Sequence, residues 1–363
     1  MKLSTRSVLV LSAVSLLGAL SVGCEKKDTK RNSDDEAHAD AGPVNKPASD
    51  DPELAKALGS VSAARPSATA GAEGGPPPDG IFGPGEADKV APKGGAAVLT
   101  LGSEGSAPQV VLGPFSKPGT KRAGTVDLAT QSDPQQGAIP IQFAVTLEAQ
   151  KGKAEGDAGA VPTQVVAKVI SAKIDAPGVP ADLAAAVAKL KGSRVEYQVG
   201  SDGSAVNPRS DIPKTADAGF RDPVQALSDL LTVLALPFPT KPVGVGAFWM
   251  VTNRDVVMGL DVVNYRLVKV EKVEGSVVTL SLNLKRYAAS SKFELEGLPP
   301  DAPRTMGEFR SQAEGKLVVS VGDGFPKSAE LKSSIGAVLG PADAKQRPMV
   351  QVQSRASLTL SGQ

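Results

Sequence analysis

The residue types that most often carry catalysis are scarce in this chain of 363 residues, which has one cysteine, Cys24, and one histidine, His38. A disulfide framework, a thiolate zinc cluster and a Cys-x-x-Cys redox pair each need at least two cysteines and are excluded. His38 lies in the acidic stretch SDDEAHADAG, and a catalytic histidine needs a partner that orients its ring. We therefore expect neither a Ser-His-Asp triad nor a multi-histidine metal site.

Carboxylates are the remaining candidates for acid–base chemistry, and the best placed are Asp255, Asp261, Glu294 and Glu296. A glycosidase uses two such groups, one protonated and one ionised. Such enzymes usually add aromatic platforms for the sugar, but aromatic residues make up only 4% of this chain. A hydrolase with an atypical carboxylate site is therefore the less favoured alternative. We predict no enzymatic activity, no cofactor and no bound metal.

The overall charge is close to balanced. Forty basic residues face thirty-nine acidic ones, which gives a net charge of +1 at pH 7. A protein that binds nucleic acid usually carries a strong basic excess or a basic patch, because the phosphate backbone supplies much of the affinity. Nucleic acid is therefore not an expected partner.

The N-terminus has the anatomy of an export signal. Lys2 and Arg6 precede an apolar run, SVLVLSAVSLLGALSVG, and this order of a cationic segment, an apolar core and small residues is typical of secretory signals. The run holds about 17 residues, whereas a membrane-spanning helix needs roughly 20. Basic residues also follow the run directly, in KKDTKR, which would confuse the orientation of a retained helix. A cleaved signal is therefore favoured over a membrane-spanning helix.

The end of this run, Ser21-Val22-Gly23-Cys24 with Leu20 before it, resembles the lipobox of bacterial lipoproteins. The resemblance implies that a signal peptide, residues 1–23, is cut between Gly23 and Cys24. It also implies that Cys24 is acylated and becomes the first mature residue. Ser21 departs from the pattern, because the family usually has leucine there. Several acyl chains on one residue give stable anchoring, whereas one chain gives marginal binding.

This resemblance implies a location and a partner. The expected protein is anchored to a membrane of the cell envelope through acylated Cys24, and the anchor does not span the bilayer. Glu25 follows the cysteine, where an aspartate usually signals retention in the inner membrane of enteric bacteria. The outer membrane, facing the periplasm, is therefore the expected location, with surface exposure as an alternative.

A change of composition divides the mature chain into two parts. Residues 24–95 are rich in Ala, Gly, Pro, Asp and Lys, with phrases such as GAEGGPPPDG. Because such a segment buries too little apolar surface to offset the entropy of ordering, it predicts a disordered linker. Residues 96–363 alternate apolar and polar residues between turn signals, which predicts a β-rich globular domain. The clearest alternations place on one face the residues Ile139, Ile141, Phe143, Val145 and Leu147, and Val278, Leu280, Leu282 and Leu284.

Two helices are expected within this domain, over residues 180–192 and 221–236. The second would begin with Asp222 as N-cap and Pro223 as its first helical residue. Its leucines recur at helical spacing and would cover one face of a sheet. The predicted fold class is α+β: a mostly antiparallel, curved β-sheet meander, half-barrel-like, with one or two short helices and a disordered linker before it. The helix would close a concave, Val- and Leu-lined pocket.

A proline- and glycine-rich stretch, LPFPTKPVGVGAFWMV (236–251), follows the second helix. The prolines exclude helix, the glycines permit a bend, and the only tryptophan begins a strand. The stretch resembles an uncharacterised family of secreted and lipoprotein bacterial domains with a Leu-Pro, Lys-Pro-Val, Gly and Trp signature and a Tyr-x-Leu strand. The resemblance covers about residues 140–360 and implies a fold but no established activity. The signature residues here are Pro237, Lys241, Pro242, Val243, Gly246 and Trp249.

The predicted function is a non-enzymatic binding domain, anchored in the envelope, for an apolar ligand or lipid or for an envelope protein. A scaffold or assembly factor of an envelope complex is the alternative. The tether, the antiparallel strands and the missing catalytic groups favour binding over catalysis.

Replacing the predicted lipid attachment site provides a direct test. We expect Cys24→Ser to stop acylation, so that the protein leaves the membrane fraction or accumulates with its signal peptide uncut. Membrane fractionation and incorporation of labelled palmitate would measure this change. Unchanged partition of the variant into membranes would contradict the lipoprotein assignment.

Overall fold

The computed structural model describes residues 76–113, 117–131, 138–152, 162–174, 176–217, 220–257, 259–293, 304–323, 325–340 and 349–362. The predicted site residues Gly23, Cys24, Glu294 and Glu296 lie outside these ranges, as do His38, the signal peptide and the predicted linker as far as residue 75. No helix within the described ranges is both long enough and apolar enough to cross a membrane.

Strands dominate the part of the chain that the structure describes. They are β1 (Val98–Ser103), β2 (Ser106–Val110), β3 (Lys121–Gln131), β4 (Ile139–Lys151), β5 (Thr163–Ile174), β6 (Arg194–Val199), β7 (Ala205–Asp211), β8 (Val243–Val245), β9 (Phe248–Val257), β10 (Leu260–Glu274), β11 (Val277–Ala288), β12 (Met306–Ser320), β13 (Ser328–Leu339) and β14 (Met349–Gly362). Three helices accompany them: α1 (Glu86–Val90), α2 (Ala181–Ala188) and α3 (Arg221–Leu234).

Twelve strands form one open sheet in the order β1-β9-β10-β11-β12-β13-β14-β3-β4-β5-β6-β7, and every neighbouring pair is antiparallel. Strands β2 and β8 form a separate pair. The prediction of a mostly antiparallel sheet is confirmed. The prediction that its strands follow one another as a meander is wrong, because the strand order departs from the chain order. Two meanders, β3–β7 and β9–β14, are joined into one sheet because β14 pairs with β3. Alternation along a strand assigns its two faces but does not say which strand lies beside it.

The sheet wraps around one main core. Side chains near both ends of the strand order, such as Tyr197 of β6 and Trp249 of β9, belong to the same buried cluster. The N–H of Ala97, just before β1, donates to Asp202 in the β6–β7 turn at 2.9 Å, so the two edges approach each other. We call the face that carries this core the inner face and the opposite one the outer face.

The alternation predicted for the strands holds almost throughout. Val278, Leu280, Leu282 and Leu284 are all buried on the inner face, as are the apolar residues of β4 from Ile141 onward. Ile139 is the exception, because it is the first residue of β4 and remains 46% exposed.

Helix α3 fills the space that the sheet encloses. Its leucines at 227, 230, 231 and 234 are all at most 3% exposed, as their spacing predicts. The predicted N-cap was wrong, because the helix begins at Arg221 and its N-cap is Phe220. Asp222 instead lies in the first turn, where its charge favours the helix N-terminus, and Pro223 lies where an N–H has no helical partner. Helix α2 is shorter than predicted, and 189–192 form a turn.

Residues 79–91, which we call the clip, were predicted to belong to the linker but pack against the sheet. The N–H of Phe82 donates to the carbonyl of Ala288 at 2.8 Å, and the N–H of Phe309 donates to the carbonyl of Asp79 at 2.9 Å. The clip thus inserts between the ends of β11 and β12. Helix α1 then covers part of the outer face, where Phe82, Ala87 and Ala91 are buried against Val263 and Ala289. The sequence analysis assigned these few apolar residues to the linker because the composition around them is typical of a linker.

Arg254 of β9 fastens the clip. Its Nε and Nη2 donate to the Asp261 carboxylate at 2.5 and 3.0 Å, and its Nη1 lies 3.3 Å from Asp88 and 3.2 Å from the Ala91 carbonyl. The side chain is only 8% exposed. The hydrogen bond to Asp261 raises the pKa of the Arg254 guanidinium. One arginine therefore joins the β9–β10 hairpin to the C-terminal end of α1.

Substitution of Gly80 tests whether the clip belongs to the folded domain. Its φ is +78°, and an added Cβ would lie 1.8 Å from the Phe309 carbonyl oxygen. We expect Gly80→Ala to lower the free energy of unfolding by about 3 kcal/mol, measured by chemical denaturation. Gly85→Ala is the matched control, since Gly85 has a φ of +74° but nothing within 4 Å, and it should cost about 1 kcal/mol. Equal effects of the two variants would contradict a docked clip.

Candidate functional site

The two described carboxylates that the sequence nominated for hydrolysis cannot act together. The β9–β10 register places Asp255 opposite Val262 and Asp261 opposite Val256. Because neighbouring residues of a strand point to opposite faces, Asp255 lies on the inner face and Asp261 on the outer face. Asp261 is engaged by Arg254. The predicted alternative of a paired carboxylate site therefore fails for these two residues.

Asp255 instead belongs to a layer of polar side chains in the interior, which we call the polar belt. Arg286 of β11 is its centre: Nη2 and Nη1 donate to Asp229 of α3 at 2.7 and 3.3 Å, and Nε donates to Asn264 at 3.2 Å. The amide of Asn264 in turn lies 3.4 Å from Asn253. Arg286 is 4% exposed, so its ion pair with Asp229 is well shielded from water.

Arg266 is the second cation of the polar belt, and it is 1% exposed. Its Nη1 donates to the carbonyl of Ala235 at 3.1 Å, directly after the last residue of α3. Arg266 therefore caps the helix C-terminus, where backbone carbonyls lack helical partners. Burial lowers the pKa of Arg266 to about 10 and raises the pKa of Asp255. Arg266 remains protonated at neutral pH, and the negative charge of Asp255 favours that form.

The sequence analysis missed the polar belt, although a signal was present. In the stretch VVNYRLVKV of β10, Asn264 and Arg266 stand in phase with Val262, Val268 and Val270. Period-two alternation therefore places both polar residues on the buried face. What the pattern lacks is the identity of their partners, since Asp229 and Ala235 come from another element.

The signature residues form the connection from α3 to β9. The indole Nε1 of buried Trp249 donates to the Pro237 carbonyl at 3.1 Å. Gly246 has a φ of +82° in the bend before β9. Val243 is buried and paired with β2, whereas Pro242 is exposed.

Lys241 is the only charged residue of the signature. It is exposed, and its Nζ lies 2.8 Å from the Glu104 carboxylate. The hydrogen bond to Glu104 raises the pKa of Lys241. The signature residues therefore position strand β9 and Trp249. The one cation among them, Lys241, is already in an ion pair with Glu104.

The described residues leave little space between helix α3 and the sheet, where an apolar pocket was predicted. The cavity between α3 and the sheet measures about 10 Å³, roughly the minimum that holds one water. Its lining consists of Leu147, Tyr197, Leu231, Leu234, Ala235, Phe325, Pro326 and Leu358. The prediction was wrong here because the leucines of α3 enter the space that they were expected to roof.

An open groove of about 780 Å³ crosses the middle of β11, β12, β13, β14, β3 and β4. Of its lining residues, Leu128, Ile141, Leu282 and Leu331 are buried in the core. The side chains that alternate with them are therefore the ones that face the groove, on the outer face. We call it the polar groove. Those side chains belong to Asp127, Ala129, Pro140, Gln142, Ser281, Asn283, Glu314, Lys316, Glu330, Lys332, Arg355 and Ser357.

The charges in the polar groove are mixed. Three acids (Asp127, Glu314 and Glu330) and three bases (Lys316, Lys332 and Arg355) line it, and aromatic residues do not. Among the described residues no cluster of His, Cys, Asp or Glu has the arrangement of a metal site.

The fold and the groove define an open, antiparallel β-sheet domain built around a buried helix. No family model and no curated protein matches the sequence. Among solved structures, one of lipovitellin, concerned with lipid–protein interactions, shares 15% identity at a TM-score of 0.39. The match covers 68% of this chain and 25% of that one, so this chain spans about a quarter of its neighbour's length. At this level of similarity, function has to be derived from the chain's own geometry.

The two carboxylates should respond oppositely to neutralisation. Because burial raises the pKa of Asp255, the folded state binds its proton more tightly, and stability falls as pH rises from about 3.9 through the raised value. We expect Asp255→Asn to increase the melting temperature at pH 7, and the gain to vanish near pH 3. Circular dichroism melts across this range would measure the effect.

Asp261→Asn is the matched control on the outer face. It removes a charged hydrogen-bond partner from Arg254 and should cost about 2 kcal/mol at pH 7. A loss of stability in both variants would contradict the assignment of Asp255 to a buried, charge-disfavouring position.

Proposed function

We propose that this chain is a lipid-anchored lipoprotein of the cell envelope whose β domain binds an envelope protein non-enzymatically in the polar groove. The observation that carries the proposal is the groove itself, about 780 Å³ in volume and rich in charged side chains. A volume of this size is within the range of ligand sites in proteins. The outer membrane facing the periplasm is the proposed location.

The filled interior favours a protein partner over a lipid. An apolar ligand needs a concave, apolar cavity, but α3 occupies the inner side and leaves about 10 Å³. The apolar side chains beneath the groove are buried in the core. A lipid would have to displace α3 and break its contacts with Arg266 and Arg286.

The clip and the linker suit a tethered binding domain. If residues 24–75 form a flexible coil of about 50 residues, the root-mean-square reach is roughly 40 Å. The clip then fixes where this tether joins the sheet, at the ends of β11 and β12. The groove lies on the middle segments of its strands and is therefore separate from the attachment point. A scaffold or assembly factor would use the same arrangement.

Photo-cross-linking in cells would test the groove as an interface. We expect a photoreactive amino acid at Gln142 or Asn283, at opposite ends of the groove, to give the same discrete envelope-protein adduct. Ile170 and Val256 are matched controls, because they are exposed on strands but do not line the groove, and they should give none. Equal adducts from all four positions, or none from the groove, would contradict the proposal.

Native mass spectrometry of the detergent-extracted protein would test the lipid alternative. We expect no lipid beyond the acyl groups on Cys24, because α3 fills the interior. A stoichiometric lipid adduct on the wild type would contradict the protein-partner version and favour an apolar ligand.

A further inference from the structure

Two cations stand side by side in the polar groove. The β13–β14 register places Lys332 directly opposite Arg355, and like charges at opposed positions destabilise an antiparallel pair. The Lys332 ammonium lies 3.7 Å from the Glu314 carboxylate. Arg355 forms no ion pair and no side-chain hydrogen bond with any residue that the structure describes. The guanidinium therefore adds a positive charge that no ion pair among the described residues neutralises.

The sheet contains a second pair of opposed cations outside the groove. Lys168 of β5 lies opposite Arg194 of β6, also on the outer face. There, however, Arg194 Nη2 pairs with Glu196 at 2.5 Å. Each pair therefore has one cation beside a carboxylate, but the paired cation is the arginine at β5–β6 and the lysine at β13–β14. Among the described residues, Arg355 is thus the arginine whose donors remain available, and it lies in the groove.

Asp127 and Glu330 are the acids nearest to Arg355 in the register, and neither forms an ion pair with it. Asp127 accepts hydrogen bonds from Gln142 at 2.7 Å and from Ser357 at 3.5 Å. Glu330 faces Lys316 in the β12–β13 register and Ser357 in the β13–β14 register. On its other side Arg355 lies opposite Ala129, whose small side chain leaves the guanidinium uncovered. An arginine with a free fork of donors fits a carboxylate in bidentate geometry.

We propose that the polar groove binds an extended acidic polypeptide segment, and that Arg355 and Lys332 receive one of its carboxylates. This inference rests on the proposed function and names the chemistry of its partner. The groove crosses six strands, or about 24 Å at the usual spacing between strands, which suits an extended chain. Its side chains supply hydrogen-bond donors and acceptors on both sides of the cation pair. No aromatic residue lines it as a platform for a sugar.

Fluorescence anisotropy on the full chain in detergent would test this. The probes are labelled twelve-residue peptides of alternating Glu and Ser, with Gln-Ser and Lys-Ser versions for comparison. We expect the wild type to prefer the Glu-Ser peptide at least tenfold. The double variant Lys332→Gln/Arg355→Gln should lose at least tenfold in affinity for it and show a weaker salt dependence.

Lys168→Gln/Arg194→Gln is the matched control, since it changes the same residue types, the same opposed geometry and the same net charge. It should bind the Glu-Ser peptide like the wild type. The groove variant should also melt no lower than the wild type, because removing opposed cations relieves repulsion. Loss of binding with unchanged or increased stability is the signature of a ligand site and not of a structural pair.

Several outcomes would overturn the inference. They are equal loss of affinity in both double variants, no preference of the wild type for the Glu-Ser peptide, and Arg355-dependent binding of inorganic phosphate or of phosphatidylglycerol vesicles in its place. Cross-linking from Gln142 in the groove variant separates this inference from the proposed function. If the adduct persists there, the groove is an interface but the cation pair does not recognise the partner. If it is absent from the wild type too, the proposed function fails.

Discussion

Two buried arginines on the inner face hold helix α3 inside the sheet, and much of the molecule follows from this contact. Arg286 pairs with Asp229 within the helix, and Arg266 donates to the carbonyl of Ala235 at its end. Both guanidinium groups would be costly to bury alone, because removing one partner of a buried pair leaves an uncompensated charge. The leucines of α3 supply apolar burial, while the two arginines specify where along the sheet the helix lies.

This arrangement decides which surfaces remain for binding. With α3 inside, the described residues leave a cavity of about 10 Å³ between the helix and the sheet, and the polar groove lies on the outer face. The clip covers one end of that outer face near β10 and β11, where Arg254 fastens it. The polar groove extends from β11 to β4 and retains its charged side chains. The clip and the polar groove thus occupy different regions of one surface.

The open sheet leaves two edge strands, and β7 carries features that discourage further pairing. Pro208 lacks an N–H, and Asn207 adopts a φ of 54°, which interrupts regular strand geometry. Such devices protect exposed edges from association with other chains. Edge-to-edge association at β7 is therefore disfavoured, which is consistent with recognition on a sheet face.

Local pattern in the sequence determined strands such as β4 and β11, the inward direction of residues such as Leu282, the existence of α3 and the structural role of Trp249, because these depend on period and turn chemistry alone. The lipid attachment at Cys24 is likewise a prediction from local motif. The strands β1, β2, β3 and β7 were not predicted, since their alternation is weak. Tertiary structure decided the rest. It paired β14 with β3, drew the clip out of the predicted linker, put Asp255 and Asp261 on opposite faces, and set Lys332 beside Arg355. Each of these depends on which strands become neighbours, and that is fixed by long-range packing which a single strand's alternation does not encode.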